Sequence, residues 1–209
     1  MPLQNRVDPF GNLHAVEARG TLMGNRGGRF HTAEQSLHTR RWATRAWITC
    51  LCGFKNRKRE VWGNSYTELF FLDEVTALSA GHRPCFECRN TAAKAFQRGF
   101  AGHSPNDFSE TGFSAPEIDK ILHLQRLNNR HKRVHAANID DLPDGAMVLW
   151  QDAPHAIRGP YLLAWSFEGY TSAVQRPTAQ TVAVLTPAAS VAALRVYTPA
   201  FHDSAARFF

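Results

Sequence analysis

Residues 73–89 of the chain read DEVTALSAGHRPCFECR, a short helical pattern that leads into a pair of cysteines. Asp73 is a good N-terminal cap and Gly81 is common just beyond a helix C-terminus, so the pattern predicts a short helix between them. Two residues separate Cys85 from Cys88, and a tight turn of this length directs both sulfurs toward one point. The stretch therefore predicts a helix followed by a metal-binding knuckle.

The chain has four cysteines, and all of them lie between residues 50 and 88. Cytosolic proteins seldom keep structural disulfides, so the paired spacing favours a metal, and Zn²⁺ prefers four tetrahedral ligands such as thiolates. The predicted ligands of one zinc ion are Cys50, Cys52, Cys85 and Cys88. In a regular strand the first two sulfurs would lie roughly 6 to 7 Å apart, so this ligand set requires a local turn at residues 51–53.

Other arrangements of the cysteines stay open. Three of them can bind zinc with His82 or water as the fourth ligand, or the thiols can be redox groups or simply buried. If zinc is bound, the site can be structural and closed, or it can hold a reactive thiolate on Cys50 or Cys52.

The stretches WITCLC at residues 47–52 and YTELFFLDEVTALSAGHRPCFECR at residues 66–89 resemble the metal-binding domain of the bacterial Ada alkylation-repair proteins. In that family four cysteines bind zinc, and the first also accepts a methyl group from a DNA phosphotriester. The resemblance implies zinc ligands at Cys50, Cys52, Cys85 and Cys88, with Cys50 as the methyl-accepting nucleophile. The chain departs from the family in having only one residue between its first two cysteines and His82 in a position that is usually Phe or Tyr.

The net charge of +6 is concentrated near the N-terminus, because residues 1–60 hold eleven Lys and Arg against four Asp and Glu. A local surplus of this kind, with Trp and Phe among the cations, favours contact with nucleic-acid phosphates and bases. A solvated basic face is the alternative. The predicted nucleic-acid-binding residues are Arg40, Arg41, Arg45, Lys55, Arg57, Lys58 and Arg59.

The predicted fold class is α+β, with a small zinc-knuckle module packed against a β-rich part that forms a curved sheet or a partial barrel. Three regions differ in composition. Residues 1–40 are a basic segment rich in Gly, Arg and His, and residues 41–100 are the Ada-like zinc module. Residues 101–209 are an α+β part, rich in strands, with no assigned role.

Local patterns refine this division. Met23–Arg29 is the most loop-like segment, and Ser114–Glu117 forms a capping box that opens a helix with a basic C-terminal end. Strands are expected near 146–150, 161–167 and 180–185, followed by a small helix up to residue 195. The chain contains neither a membrane-spanning run nor a secretory leader, which predicts a cytoplasmic protein.

Three functions fit these features. The leading hypothesis is a zinc protein that contacts nucleic acid, in bacterial DNA repair or defence. The first alternative is an enzyme with a structural zinc and a pocket for a small anionic substrate, in which the residues to test are His31, His38, His82, Arg83 and Glu87. The second alternative is an interaction module without chemistry.

Overall fold

The computed structural model describes residues 1–57, 60–103 and 112–209. They form an α+β fold with two six-stranded sheets, which confirms the predicted fold class. The first sheet consists of β1 (Arg6–Val7), β2 (Leu13–His14), β3 (Leu22–Arg26), β4 (Trp47–Leu51), β5 (Leu69–Phe71) and β6 (Arg83–Pro84).

The strand order in this sheet is β2-β1-β5-β3-β4-β6. The pairs β1–β5 and β4–β6 are parallel, and the other pairs are antiparallel. Residues 1–40 supply β1 to β3, and residues 41–100 supply β4 to β6. The boundary that the sequence suggests after residue 40 therefore lies inside one sheet.

The prediction of a loop at Met23–Arg29 is wrong for residues 23–26. Leu22–Arg26 form β3, a strand inside the sheet in which every residue is buried. Gly24 explains the difference. A Cβ atom at Gly24 would lie 2.4 Å from the carbonyl oxygen of Ile48 and 2.7 Å from the ring of Phe71. The glycine therefore permits close packing within a sheet rather than a turn.

The predicted helix after Asp73 is confirmed as α1 (Glu74–Ser79). The Asp73 carboxylate accepts a hydrogen bond from the backbone N–H of Thr76 at 2.8 Å, and Gly81 ends the segment with a φ of 81°. The chain then forms β6 and the cysteine turn, and it continues into α2 (Asn90–Phe100).

The second sheet begins after a short hairpin of β7 (Leu127–Asn128) and β8 (His131–Lys132). Its strands are β9 (His135–Asn138), β10 (Met147–Trp150), β11 (Ala153–Arg158), β12 (Tyr161–Ser166), β13 (Gly169–Gln175) and β14 (Thr181–Val184). They pair antiparallel in the order β13-β12-β11-β10-β14-β9, which confirms the three strands expected from the sequence. In the described part of the chain, no pairing between β9 and β13 closes the sheet into a barrel.

Helices cover one face of the second sheet. The predicted capping box is confirmed at the start of α3 (Ala115–Arg126), where the backbone N–H of Ser114 donates to the Glu117 carboxylate at 2.7 Å. The small C-terminal helix is confirmed as α4 (Ala188–Leu194). The main core combines these helices with the sheet, and it includes Phe96, Leu122, Val148, Ile157 and Leu194.

The opposite face of the second sheet packs against α1 and a C-terminal 3-10 helix at Asp203–Phe208. The Tyr170 hydroxyl donates to the Asp73 carboxylate at 2.7 Å, and the indole N–H of Trp165 donates to the Thr76 hydroxyl at 2.9 Å. Buried hydrogen bonds thus attach α1 to the second sheet. Across the described ranges, no helix is both long and apolar enough to span a bilayer.

Candidate metal centre

Three cysteine sulfurs lie together where the first sheet meets α2. Cys50 is on β4, while Cys85 and Cys88 follow β6, and the three sulfur atoms all lie within 4.8 Å of one another. The parallel pairing of β4 and β6 brings them together, since the backbone N–H of Cys85 donates to the carbonyl oxygen of Thr49 at 2.9 Å. Three thiols in one cluster form a donor set that suits a soft metal ion such as Zn²⁺.

Cys52, the fourth predicted ligand, does not belong to this group. The strand β4 stays extended through Leu51, so Cys52 lies about one strand repeat beyond Cys50, roughly 6 to 7 Å along the chain. Its side chain is exposed, and its sulfur contacts the carbonyl oxygen of Thr21 at 3.4 Å. The turn that would bring all four sulfurs together is absent before Cys52.

Hydrogen bonds within the cluster separate the acidities of its thiols. The Cys50 side chain donates to the Cys85 sulfur and lowers the pKa of Cys85 to about 5, and the Glu87 backbone N–H donates to the same sulfur at 3.4 Å. The hydrogen bond from Cys50 to Cys85, together with burial, raises the pKa of Cys50. Burial raises the pKa of Cys88. A metal binds thiolates rather than thiols, so binding of a metal to all three sulfurs would release protons.

A cavity of about 130 Å³ adjoins the three sulfurs. Asn25 and Tyr66, neither of which was predicted as a site residue, contribute to its lining. At its rim the Arg57 guanidinium pairs with the Glu87 carboxylate at 2.5 Å, and both side chains are about half exposed. The cluster is thus accessible from one side through a small cavity.

His82, the alternative fourth ligand, is not brought to the cysteines. Its ring is fully buried against Trp47 and Phe71, and its Nε2 accepts a hydrogen bond from Arg26 at 3.3 Å. Burial lowers the pKa of His82 well below its ordinary value, and nearby Arg26 and Arg126 lower it further. The imidazole is therefore neutral and engaged away from the cluster.

The cations predicted to contact nucleic acid lie on both sides of β4 in the sequence. Arg40, Arg41 and Arg45 precede this five-residue strand, whereas Lys55 and Arg57 follow it. Arg40, Arg45 and Lys55 are exposed and, among the described residues, form no ion pair. Arg41 is half-buried and donates to the carbonyl oxygen of His38 at 2.6 Å. Lys58 and Arg59 lie outside the described residues.

The residues of the alternative enzyme hypothesis are engaged in separate contacts. The ring of His31 stacks on Trp62 with centroids 5.2 Å apart and hydrogen-bonds Thr67 at 2.8 Å. Arg83 forms a bidentate ion pair with Asp119, with both N–O distances at 2.8 Å. Glu87 pairs with Arg57, and the carbonyl oxygen of His38 accepts a hydrogen bond from Arg41. These contacts are structural, and they do not converge on a single pocket.

No protein-family model, no curated protein and no solved structure matches this chain. Proposals about its function therefore depend on the geometry of its own side chains.

Proposed function

We propose that this protein binds one Zn²⁺ ion through Cys50, Cys85 and Cys88. The observation that carries the proposal is the mutual approach of the three sulfurs to within 4.8 Å. Tetrahedral coordination with Zn–S bonds of about 2.3 Å places two sulfurs about 3.8 Å apart, so small side-chain movements suffice to bind the ion. The resemblance of residues 47–52 and 66–89 to Ada-type metal-binding domains supports zinc as the metal and these three of its four implied ligands; the proposal departs from it in leaving out Cys52.

Three protein ligands leave a fourth position, which the adjoining cavity of about 130 Å³ can supply with water or another small ligand. Zinc sites with three protein ligands and an open position are typical of reactive rather than purely structural centres. Bound zinc would supply a Lewis acid and keep its sulfur ligands ionised. The chain's own contribution is the rigid strand pair that holds Cys50 and the turn that holds Cys85 and Cys88.

A set of serine variants tests the ligand assignment. We expect wild-type protein to carry one zinc ion per chain in native mass spectrometry, and Cys50→Ser, Cys85→Ser and Cys88→Ser each to lose most of it. Cys52→Ser is the matched control, and it should keep the full zinc content. Loss of zinc from Cys52→Ser to the same extent, or a metal-free wild-type protein that stays folded, would contradict the proposal.

The Ada-type resemblance adds a role for Cys50, which lines the cavity beside the cluster. As a methyl acceptor, the Cys50 sulfur forms a bond to the methyl carbon while a carbon–oxygen bond of a phosphotriester breaks, leaving a phosphodiester anion. Peptide mapping after exposure to methyl-phosphotriester DNA should find one methyl group, on Cys50. Equal methylation of Cys52 and Cys50 would indicate non-specific alkylation and contradict this role.

Nucleic acid is the partner that fits such a reaction, and the observation in its favour is a set of exposed cations that form no ion pair with any described residue, Arg40, Arg45 and Lys55. We expect oligonucleotide affinity to fall steeply with salt, since each phosphate contact adds about 0.9 to the slope of log K against log salt. Replacing Arg40 and Arg45 by Gln should reduce that slope, whereas Lys94→Gln on the exposed side of α2 should not. Affinity that does not change with salt would exclude this partner.

A further inference from the structure

A second cavity, of about 260 Å³, lies beside the first sheet and is lined by five cations. Trp47 and Cys50 differ by three positions on β4, so their side chains point to opposite faces of the sheet. Trp47 pairs directly with Arg26 on β3, which places both on the face away from the cysteines. The cations that line this cavity are Arg26, Arg41, Arg126, Arg130 and Lys132.

The innermost cations are paired with neutral groups. Arg26 and Arg126 are 2% and 1% exposed. Arg26 donates to the carbonyl oxygen of Gly11 at 2.8 Å, and Arg126 donates to that of Gly81 at 2.9 Å. Lys132 donates to the carbonyl oxygen of Ser79. Within residues 1–57, 60–103 and 112–209, no carboxylate forms an ion pair with Arg26, Arg126 or Lys132.

The carboxylates that interact electrostatically with these cations, Asp8 and Asp119, form their direct contacts with other groups. Asp8 contacts the His14 ring at 2.8 Å and also accepts hydrogen bonds from Asn12. Asp119 is held by the bidentate ion pair with Arg83. Asp8 and Asp119 therefore compensate the positive charge around the cavity only in part and from a distance, and buried charge without a direct partner is costly in a folded protein.

The pKa values of the cations agree with this geometry. The pKa of Arg26 is lowered to about 9 and that of Lys132 to about 7, chiefly by burial; Asp8 opposes the shift in both, and neighbouring arginines add to it. Burial also lowers the pKa of Arg126 well below its ordinary value. An anion in the cavity would offset the cost of burying these cations and their mutual repulsion. The charge already in place therefore favours the binding of an anion.

Packing holds the guanidinium groups in fixed positions. The Cζ atoms of Arg26 and Arg126 both lie 3.9 Å from the ring centroid of Trp47, in cation–π contact. Gly81 lies so close to Arg126 that a Cβ atom there would be 2.6 Å from the arginine Cδ. Pre-positioned donors lose little entropy when a ligand binds, which is a property of built binding sites.

From these observations we propose that the cavity binds the phosphate group of a phosphate monoester. Guanidinium groups match a tetrahedral oxyanion with several N–H donors, and the Lys132 ammonium adds a point charge. The volume far exceeds the ~30 Å³ that one water occupies in the liquid, so an esterified group fits beside the phosphate. Phe10 and Trp42 supply apolar walls for that group. The site does not depend on the proposed zinc centre, which is on the opposite face of the sheet.

Isothermal titration calorimetry of the full-length protein at low ionic strength tests the proposal, with inorganic phosphate as the first probe. We expect binding at millimolar concentration or tighter, and a loss of about tenfold or more in affinity for Lys132→Gln and for Arg41→Gln. Lys94→Gln is the matched control, because it removes the same charge from an exposed position on α2, and it should bind phosphate like the wild type.

Two further probes distinguish the sources of the phosphate. Tight binding of a nucleoside monophosphate identifies a free ester, and preference for a 5′-phosphorylated over a 5′-hydroxyl oligonucleotide identifies a nucleic-acid end. Phosphate binding that is unchanged in Lys132→Gln and Arg41→Gln would overturn the proposal and place the anion at another site, such as the metal. Absence of phosphate binding in folded wild-type protein would overturn it as well.

Discussion

Arg26 on β3 and Cys50 on β4 lie on neighbouring strands but face opposite sides of the first sheet. The thiols on one side are soft donors that suit a metal cation, whereas the guanidinium and ammonium groups on the other side suit an oxyanion. The register Arg26–Trp47 and Met23–Cys50 is what keeps the two groups apart. A few residues of one strand pair thus support two sites with opposite charge preference.

Lys132 gives the phosphate site a dependence on pH. Its pKa is lowered to about 7, first by burial and then by Arg126 and Arg26, so its ammonium charge is lost as the pH rises through that value. Burial also lowers the pKa of His82 and His135 below the ordinary histidine value, so both lose their charge at lower pH than Lys132 does. The groups that interact electrostatically with Lys132 are Asp8, Arg26, His82, Arg126 and His135.

Sulfate is a suitable probe of this effect because its charge is constant near neutral pH. We expect the affinity for sulfate, measured by calorimetry, to fall roughly threefold or more between about pH 6 and pH 8. The Lys132→Gln variant should bind sulfate more weakly and without this decrease. An equal decrease in the variant would assign the titration to another group.

At the scale of elements, β3 depends on the absence of a side chain at Gly24. Because a Cβ atom there would contact the Ile48 carbonyl oxygen and the Phe71 ring, we expect Gly24→Ala to lower the free energy of unfolding by about 2 kcal/mol. Gly53→Ala is the control, since no atom lies within 4 Å of a Cβ at that position. Urea denaturation of both variants measures the difference, and equal stabilities would contradict the packing of β3.

Local signals predicted the elements that have their own start and stop residues. Asp73 and Gly81 bound α1, and the Ser114 capping box opens α3, so both helices could be placed from the sequence. β3 could not, because Gly24 and its polar neighbours have the composition of a turn. Only the close approach of β4 and β5 shows that the glycine serves a strand.

The candidate sites, too, could be predicted only where the signal is local in the sequence. The spacing of Cys85 and Cys88 predicted a knuckle, and the strand geometry around Cys50 already required a turn that the structure does not form. The cationic cavity gave no local signal, because its innermost cations, Arg26, Arg126 and Lys132, are brought together only by the tertiary fold. The last two belong to a stretch that reads in the sequence as a basic helix end, a pattern typical of a solvated surface, whereas in the structure Arg126 ends α3 and Lys132 lies on β8.

For the whole molecule, α1 is one of the elements that connect the three-cysteine cluster to the second sheet. Asp73 accepts a hydrogen bond from Tyr170, and Glu74 pairs with Arg89 at 2.7 Å and accepts from the Tyr197 hydroxyl at 2.6 Å. Arg89 directly follows Cys88. The cysteine turn is therefore held by buried polar contacts from both parts of the chain, which limits its movement when a metal is absent.

In the folded chain, some of the positive charges are buried or paired and others are exposed. Residues 1–60 carry the basic surplus, yet Arg26 is buried and Arg57 is paired with Glu87. Part of the net charge of +6 is therefore internal and surrounds a cavity, and the remainder is available to a surface partner.

Zinc K-edge X-ray absorption of the purified protein tests the central claim most directly, because it counts the sulfur atoms bound to the metal. The three-cysteine centre predicts three Zn–S distances of about 2.3 Å and one shorter distance to oxygen or nitrogen. The spectrum should be the same for Cys52→Ser. Four sulfur ligands in the wild type, reduced to three in Cys52→Ser, would contradict the account.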